Sequence, residues 1–142
     1  MPEAVIVATA RTPIGRAFKG SFTEERADDM AAFIVDAVLN KVPQLDRNTV
    51  DDLILGCGLP GGEQGFNMGR VVAILAGMPD VPGCTITRYC SSSLQSIRMA
   101  AHAVRAGEGD AFVAAGVEAV SRFMVGGSSD HTPNTQNPTF QD

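Results

Sequence analysis

Apolar residues along this chain fall into four strand-like runs separated by three helical patterns. Residues 3–9 (Glu-Ala-Val-Ile-Val-Ala-Thr) form a short, largely β-branched run that predicts a buried strand. Arg11-Thr12-Pro13-Ile14-Gly15 reads as a turn and Gly20-Ser21-Phe22-Thr23 as loop. From Asp28 the period lengthens. Met30, Phe33, Ile34, Ala37 and Val38 recur at helical spacing and predict one apolar helix face, ended by Pro43. Asp51 to Gly58 predicts a second strand with a glycine exit, and Leu59 to Gly65 a flexible loop. Residues 66–76 predict a helix with Met68, Val71, Val72 and Leu75 inward, closed by Gly77-Met78-Pro79. A third strand covers 84–89. The helix from Cys90 to Ala106 carries apolar or small residues on nearly all sides, a pattern of burial all round. Gly107 to Asp110 reads as a C-cap and turn, and Ala111 to Val117 as a fourth strand. Gly126 to Asp130 and the tail from Thr132 to Asp142 read as polar loop.

Strands alternating with helices argue for an α/β fold, a mostly parallel sheet with helices on its faces. The pattern shows no internal repeat and no heptads, and nothing in the final residues closes the sheet.

Composition narrows the function classes. The length of 142 residues suits one compact domain or a piece of a larger one, and 44% hydrophobic residues supply a core. A net charge of −5 without a basic cluster speaks against nucleic acid. No apolar run reaches the about 18 residues of a membrane span. The N-terminus lacks a basic leader before its apolar run, which reads as no signal peptide. Three cysteines (Cys57, Cys84, Cys90) without a CxxC pair fit a reduced, cytoplasmic setting. With His102 and His131 the only histidines, no metal site is expected.

Cys90 is the candidate for chemistry. It stands where the third predicted strand passes into the third helix, so the thiol meets the positive end of that helix and its free N–H groups. Thiols so placed are favoured as thiolate nucleophiles. The plainer reading is a small buried residue at a strand end. Ser91, Ser92 and Ser93 either cap amides or line a polar pocket. Cys57 and Cys84 read as core or strand-edge residues. His102 follows Cys90 by twelve residues in the same helix; at about 1.5 Å per residue it is roughly 18 Å away, too far to be its base. His131 reads as a solvated loop residue. Asp28, Asp29, Asp51 and Asp52 read as helix-start and turn residues. The run Gly61-Gly62-Glu63-Gln64-Gly65 matches neither GxGxxG nor a P-loop. Glu118 reads as a buried, hydrogen-bonded carboxylate at the end of the fourth strand, with a catalytic acid as the alternative.

Four segments together resemble the N-terminal half of a thiolase. They are Arg11-Thr12-Pro13-Ile14-Gly15-Arg16 with Phe18-Lys19-Gly20; Gln64-Gly65-Phe66-Asn67-Met68-Gly69-Arg70 with Ala76-Gly77-Met78-Pro79; Cys90-Ser91-Ser92-Ser93-Leu94-Gln95; and Ala106 to Asp110 through Gly116-Val117-Glu118-Ala119-Val120-Ser121-Arg122. The likeness runs from about residue 3 to 123.

The resemblance implies a layered thiolase-like α/β fold of which this is one half. Residues 1–122 would be the N-terminal half (βαβαβαβ), residues 123–142 the irregular start of a loop domain, and the C-terminal half would be absent. It implies an acyl-CoA C-acyltransferase in which Cys90 takes the acyl group as a thioester. The reaction is thiolysis of a 3-ketoacyl-CoA or Claisen condensation of two acyl-CoAs, and the motif looks closer to the fatty-acid-degrading type. Coenzyme A and acyl-CoA enter as substrates, with no permanently bound cofactor, and the CoA-binding residues stay unassigned. The family usually has glycine where this chain has Ser93, whose hydroxyl either narrows the acyl pocket or caps an amide. The family's histidine and second cysteine lie in the other half, so the 142 residues alone are expected to be inactive. The helix after Cys90 would then face water, which predicts a homo-oligomer. A non-catalytic module that self-associates or binds a partner is the alternative. A redox-sensing cysteine is the third reading and needs a resolving cysteine nearby.

Overall fold

A computed structural model describes residues 2–126 and residue 139. Its helices are α1 (Ala27–Leu39), α2 (Met68–Leu75), α3 (Ser92–Ala106) and α4 (Val120–Gly126). Its strands are β1 (Asp52–Gly56), β2 (Gly83–Ile86) and β3 (Phe112–Gly116). Among the described residues the strands form one parallel sheet in the order β2-β1-β3, which puts β1 at the centre. The predicted α/β class is therefore observed.

Alternation along β1 sorts the sheet into two faces. Leu53 and Leu55, both fully buried, pack with Val113 against Val35 and Leu39 of α1 and Met68, Val72 and Ala73 of α2. Ile54 and Gly56 point the other way, toward α3. The face of α1 that packs is not the predicted one. Ala27, Ala31, Ala32, Val35 and Leu39 are buried, whereas Phe33 is exposed and Met30, Ile34, Ala37 and Val38 are only half-buried. Small alanines let the helix approach its neighbours closely, and the bulkier stripe is left at the rim.

Three further expectations are corrected. Residues 3–9 form no strand, and Val5, Ile6 and Val7 are 69%, 76% and 80% exposed. A strand requires a neighbour for its N–H and C=O groups, and this run pairs with none of the three described strands. Its last residue is held beyond the end of α1, where Lys41 Nζ donates to the Thr9 carbonyl at 2.7 Å. Second, α3 is not buried all round: only Ser92, Ser96 and Ala103 are buried, and Leu94 and Ile97 are exposed. One layer covers this helix where its composition calls for two. Third, the 59–65 segment is no loose loop. Gly61, Gly62, Gln64 and Gly65 are buried around a 3-10 turn at Gly62–Gln64.

The helix α4 runs through residue 123, where the irregular segment was predicted to begin. Residues 127–138 and 140–142, which hold His131 and most of the predicted tail, lie outside the described residues.

Candidate active site

A cleft of about 450 Å³ opens at the carboxyl ends of β1 and β3, lined among others by Gly58, Tyr89, Cys90, Ser93, Glu118 and Val120. In open parallel sheets this end is where ligands bind. Cys90 is exposed there, so the buried strand-end reading fails. It occupies a 3-10 turn, Tyr89–Ser91, that leads directly into α3.

Two glycines bring the turn down onto the sheet. A Cβ on Gly56 would collide with the Ser92 backbone, and one on Gly116 would lie 2.5 Å from Ser93 Cβ. With those positions bare, the first turn of α3 rests on the ends of the two strands. Tyr89 adopts φ 47°, a left-handed conformation that costs a non-glycine residue about 1 kcal/mol or more. The bend turns Cys90 out of the strand line and into the cleft. Ser92 braces it: its Oγ accepts from the Arg88 N–H at 2.8 Å and donates to the Tyr89 carbonyl at 2.7 Å. Of the three serines, Ser92 thus holds the turn and Ser93 lines the cleft. Among the described residues no side chain at the N-cap bonds the helix amides.

Glu118 stands on the opposite wall. It is hydrogen-bonded, as expected, yet exposed rather than buried. Its Oε2 accepts from the Gly58 N–H at 2.6 Å, and its Oε1 accepts from Gln64 Nε2 at 3.0 Å and from the Cys57 thiol at 3.7 Å. Burial, and then the Glu118 charge, push the Cys57 thiol up to about 12, so it remains protonated. Cys84 lies on β2, half-buried and with its thiol also pushed up by burial. The three cysteines therefore differ, and Cys90 is the most exposed of them.

His102 is exposed on α3 and does not line the cleft. Asp28 opens α1 and accepts both arms of Arg26, while Asp51 accepts backbone N–H groups of the turn before β3. Both hold structure, as the sequence indicated. Among the described residues no group of His, Cys, Asp or Glu is placed to hold a metal ion, and no helix is long and apolar enough to cross a membrane.

Gln64 was the residue missed. It appeared only within a motif, yet it is 1% exposed and linked to both Glu118 and the Ala119 N–H. The one signal in sequence was an amide side chain inside a glycine-rich run.

Residues 4–141 match the thiolase N-terminal domain. The chain is 47% identical over 128 residues to a 3-ketoacyl-CoA thiolase of Bacillus subtilis (strain 168), covering 89% of this chain and 32% of that protein. It is 45% identical over 129 residues to a 3-oxoadipyl-CoA/3-oxo-5,6-dehydrosuberyl-CoA thiolase of Escherichia coli (strain K12), with the same coverages of 89% and 32%. The crystal structure of the Bacillus anthracis acetyl-CoA acetyltransferase superposes with a TM-score of 0.78 at 36% identity, over 85% of this chain and 30% of that one. The chain spans about a third of the length of the curated relatives it matches, 32% in both cases.

Proposed function

The chain belongs to the thiolase family through its N-terminal domain, and on that premise we propose that it is the nucleophile-bearing part of an acyl-CoA C-acyltransferase. Cys90 is the acyl acceptor. In the cleaving direction its thiolate attacks the 3-keto carbonyl of a 3-ketoacyl-CoA. The C2–C3 bond breaks, the acyl group stays on Sγ as a thioester, and the electron pair leaves with C2, which takes up a proton as acetyl-CoA. The thiol of free CoA then displaces the shortened acyl group, and its proton passes to a base. Claisen condensation is the reverse sequence. The oxyanion of each addition develops next to the start of α3, where N–H groups and the helix dipole favour negative charge.

The observation that carries this reading is an exposed thiol in a cleft at the sheet's carboxyl edge, set there by the strained Tyr89 turn. Among the described residues the cleft offers no histidine or lysine to take the proton, and Glu118 is already committed to three donors. We therefore expect little turnover from the 142 residues alone. The base belongs to the part of the relatives' length that lies outside the stretch matched here. Residues 1–122 make up the nucleophile half, and the segment from 123 leads into a loop domain. CoA passes through as substrate, and no cofactor is retained. A cytoplasmic enzyme of fatty-acid degradation and a homo-oligomer complete the reading.

The test is acyl capture. Incubated with acetyl-CoA, the chain should gain the mass of one acetyl group on Cys90, and Cys90→Ser should gain none. An unmodified Cys90 peptide after exhaustive incubation sinks the reading. The second reading, a non-catalytic module that self-associates, is favoured by the bare apolar side chains of Leu94 and Ile97.

A further inference from the structure

Glu118 lines the same cleft as Cys90, but its oxygens are occupied by the Gly58 N–H, Gln64 Nε2 and the Cys57 thiol. Its lone pairs are thus directed at fixed donors on the exit of β1 and the segment after it. Its partner is engaged just as fully. Gln64 Nε2 also donates to the Leu59 carbonyl at 2.9 Å, and Gln64 Oε1 accepts from the Ala119 N–H at 2.6 Å. The two side chains thus tie the exit of β1 to the exit of β3 across 54 residues of sequence.

Gly58 is where this tie meets the nucleophile. Its N–H is held by Glu118, and its carbonyl accepts from Thr87 Oγ1 at 3.3 Å. A Cβ built on it would lie 3.2 Å from the Tyr89 carbonyl oxygen. The Tyr89–Cys90 turn therefore rests on Gly58, Gly58 hangs from Glu118, and Glu118 is oriented by Gln64. The far end of the segment is braced separately. Arg122 of α4 forms a two-armed pair with Glu63 at 2.5 and 2.9 Å.

We infer that Glu118 and Gln64 are positioning residues for Cys90, a clamp that fixes the floor on which the nucleophile's turn is seated. The inference deepens the acyl-transfer reading and rests on its choice of Cys90 as the reactive thiol. The clamp also explains why two cysteines at one end of the sheet behave differently: Cys57 serves as a donor within it, and Cys90 sits free on top.

The experiment compares wild type, Glu118→Gln and the exchanged pair Gln64→Glu/Glu118→Gln by iodoacetamide labelling, with each cysteine followed by peptide mass. Glu118→Gln keeps the shape but turns an NH2 group toward Gln64 Nε2. Cys90 labelling should slow about tenfold, as expected for a displaced reacting group, while Cys57 remains unlabelled. In the exchanged pair the carboxylate has moved to position 64, where it accepts from the Ala119 N–H and from the new amide at position 118 but gives up the donor to the Leu59 carbonyl. The carbonyl oxygen of that amide still accepts from the Gly58 N–H. The Cys90 rate should recover part of the loss, the non-additivity expected of a coupled pair. An unchanged Cys90 rate in Glu118→Gln overturns the inference. So does Cys57 becoming labelled in step with Cys90, because the pair would then merely hold the fold together. Wild type that alkylates at Cys90 but captures no acetyl group sinks the acyl-transfer reading and leaves the clamp standing.

Discussion

The two faces of the sheet are built to opposite standards. On the α1/α2 face, Leu53, Leu55, Val35, Met68, Val72 and Met78 are almost wholly removed from water. On the α3 face a single helix lies across the strands. Its buried residues are the small Ser92, Ser96 and Ala103, while Leu94 and Ile97 are exposed and Met99 and Val104 only half-buried. Ser96 shows the character of the contact: its Oγ donates to the Ala115 carbonyl at 2.9 Å, a polar contact where the other face has hydrocarbon. Stability therefore resides mainly on one side and the candidate chemistry on the other. The nucleophile's helix is held by close backbone approach and a few hydrogen bonds, and little apolar area secures it.

That contrast is broken most directly by truncation on each face. Leu53→Ala should cost about 2–5 kcal/mol, the range for a fully buried leucine. Leu94→Ala and Ile97→Ala should stay within about 0.5 kcal/mol, as for surface positions. Urea denaturation at low protein concentration measures both. The same α3 variants should weaken self-association in sedimentation, since apolar groups in water are what a second copy would cover. A wild-type chain that is monomeric at micromolar concentration removes the oligomer from the proposed function. A large stability loss in Leu94→Ala at that concentration removes the contrast itself.

A smaller effect sharpens the contrast at one contact. Gly116→Ala sets a Cβ 2.5 Å from Ser93 Cβ, closer than such atoms approach, so the first turn of α3 must lift. Overpacking of this kind costs about 1–3 kcal/mol. Ser93→Gly removes the colliding atom, and the double variant should recover most of the loss. A cycle that sums without coupling would show that Gly116 does not seat the helix. The contact also accounts for Ser93, the position at which the thiolase pattern departs here: its Cβ is accommodated because β3 ends in glycine.

How far the sequence foretells this architecture follows from the range of the forces involved. Alternation of strand and helix, the helix starts and the Cys90 junction are local, and the strands from 52 to 116 and the helices α1 to α3 lie close to where periodicity puts them. What depends on distant partners was illegible. Val5 to Val7 have the composition of a strand, yet pairing decides strands. Phe33 fits an apolar stripe, yet closeness of approach selected the alanines. The Glu118–Gln64 tie joins residues with no local signal of each other. Cys90 was legible as a candidate because strand-to-helix placement is local. The floor beneath it was not, because Gly58 meets Tyr89 and Glu118 only in three dimensions.

The smallest expected effect lies at the start of β1, where neighbouring acids have opposite environments. Asp51 is exposed, and the N–H groups of Ala111 and Asp110 hold its carboxyl below the usual range. Asp52 points to the α3 side, burial raises its carboxyl, and its Oδ1 is buried without a partner. A carboxyl lowered by folding adds stability above its unfolded value of about 4 and loses it as pH falls through the folded value. A raised one does the reverse: relative to a neutral side chain, stability is full below about 4 and is lost as pH rises through the folded value. Asp52→Asn should therefore be more stable than wild type at pH 7, by less than about 1 kcal/mol. That gain should fade on acidification. Asp51→Asn should be less stable at pH 7 and approach wild type in acid. Urea midpoints at neutral and acid pH read both. If Asp52→Asn loses stability at pH 7, the carboxylate has a partner on the α3 side, and that face is better satisfied than its single layer of packing suggests.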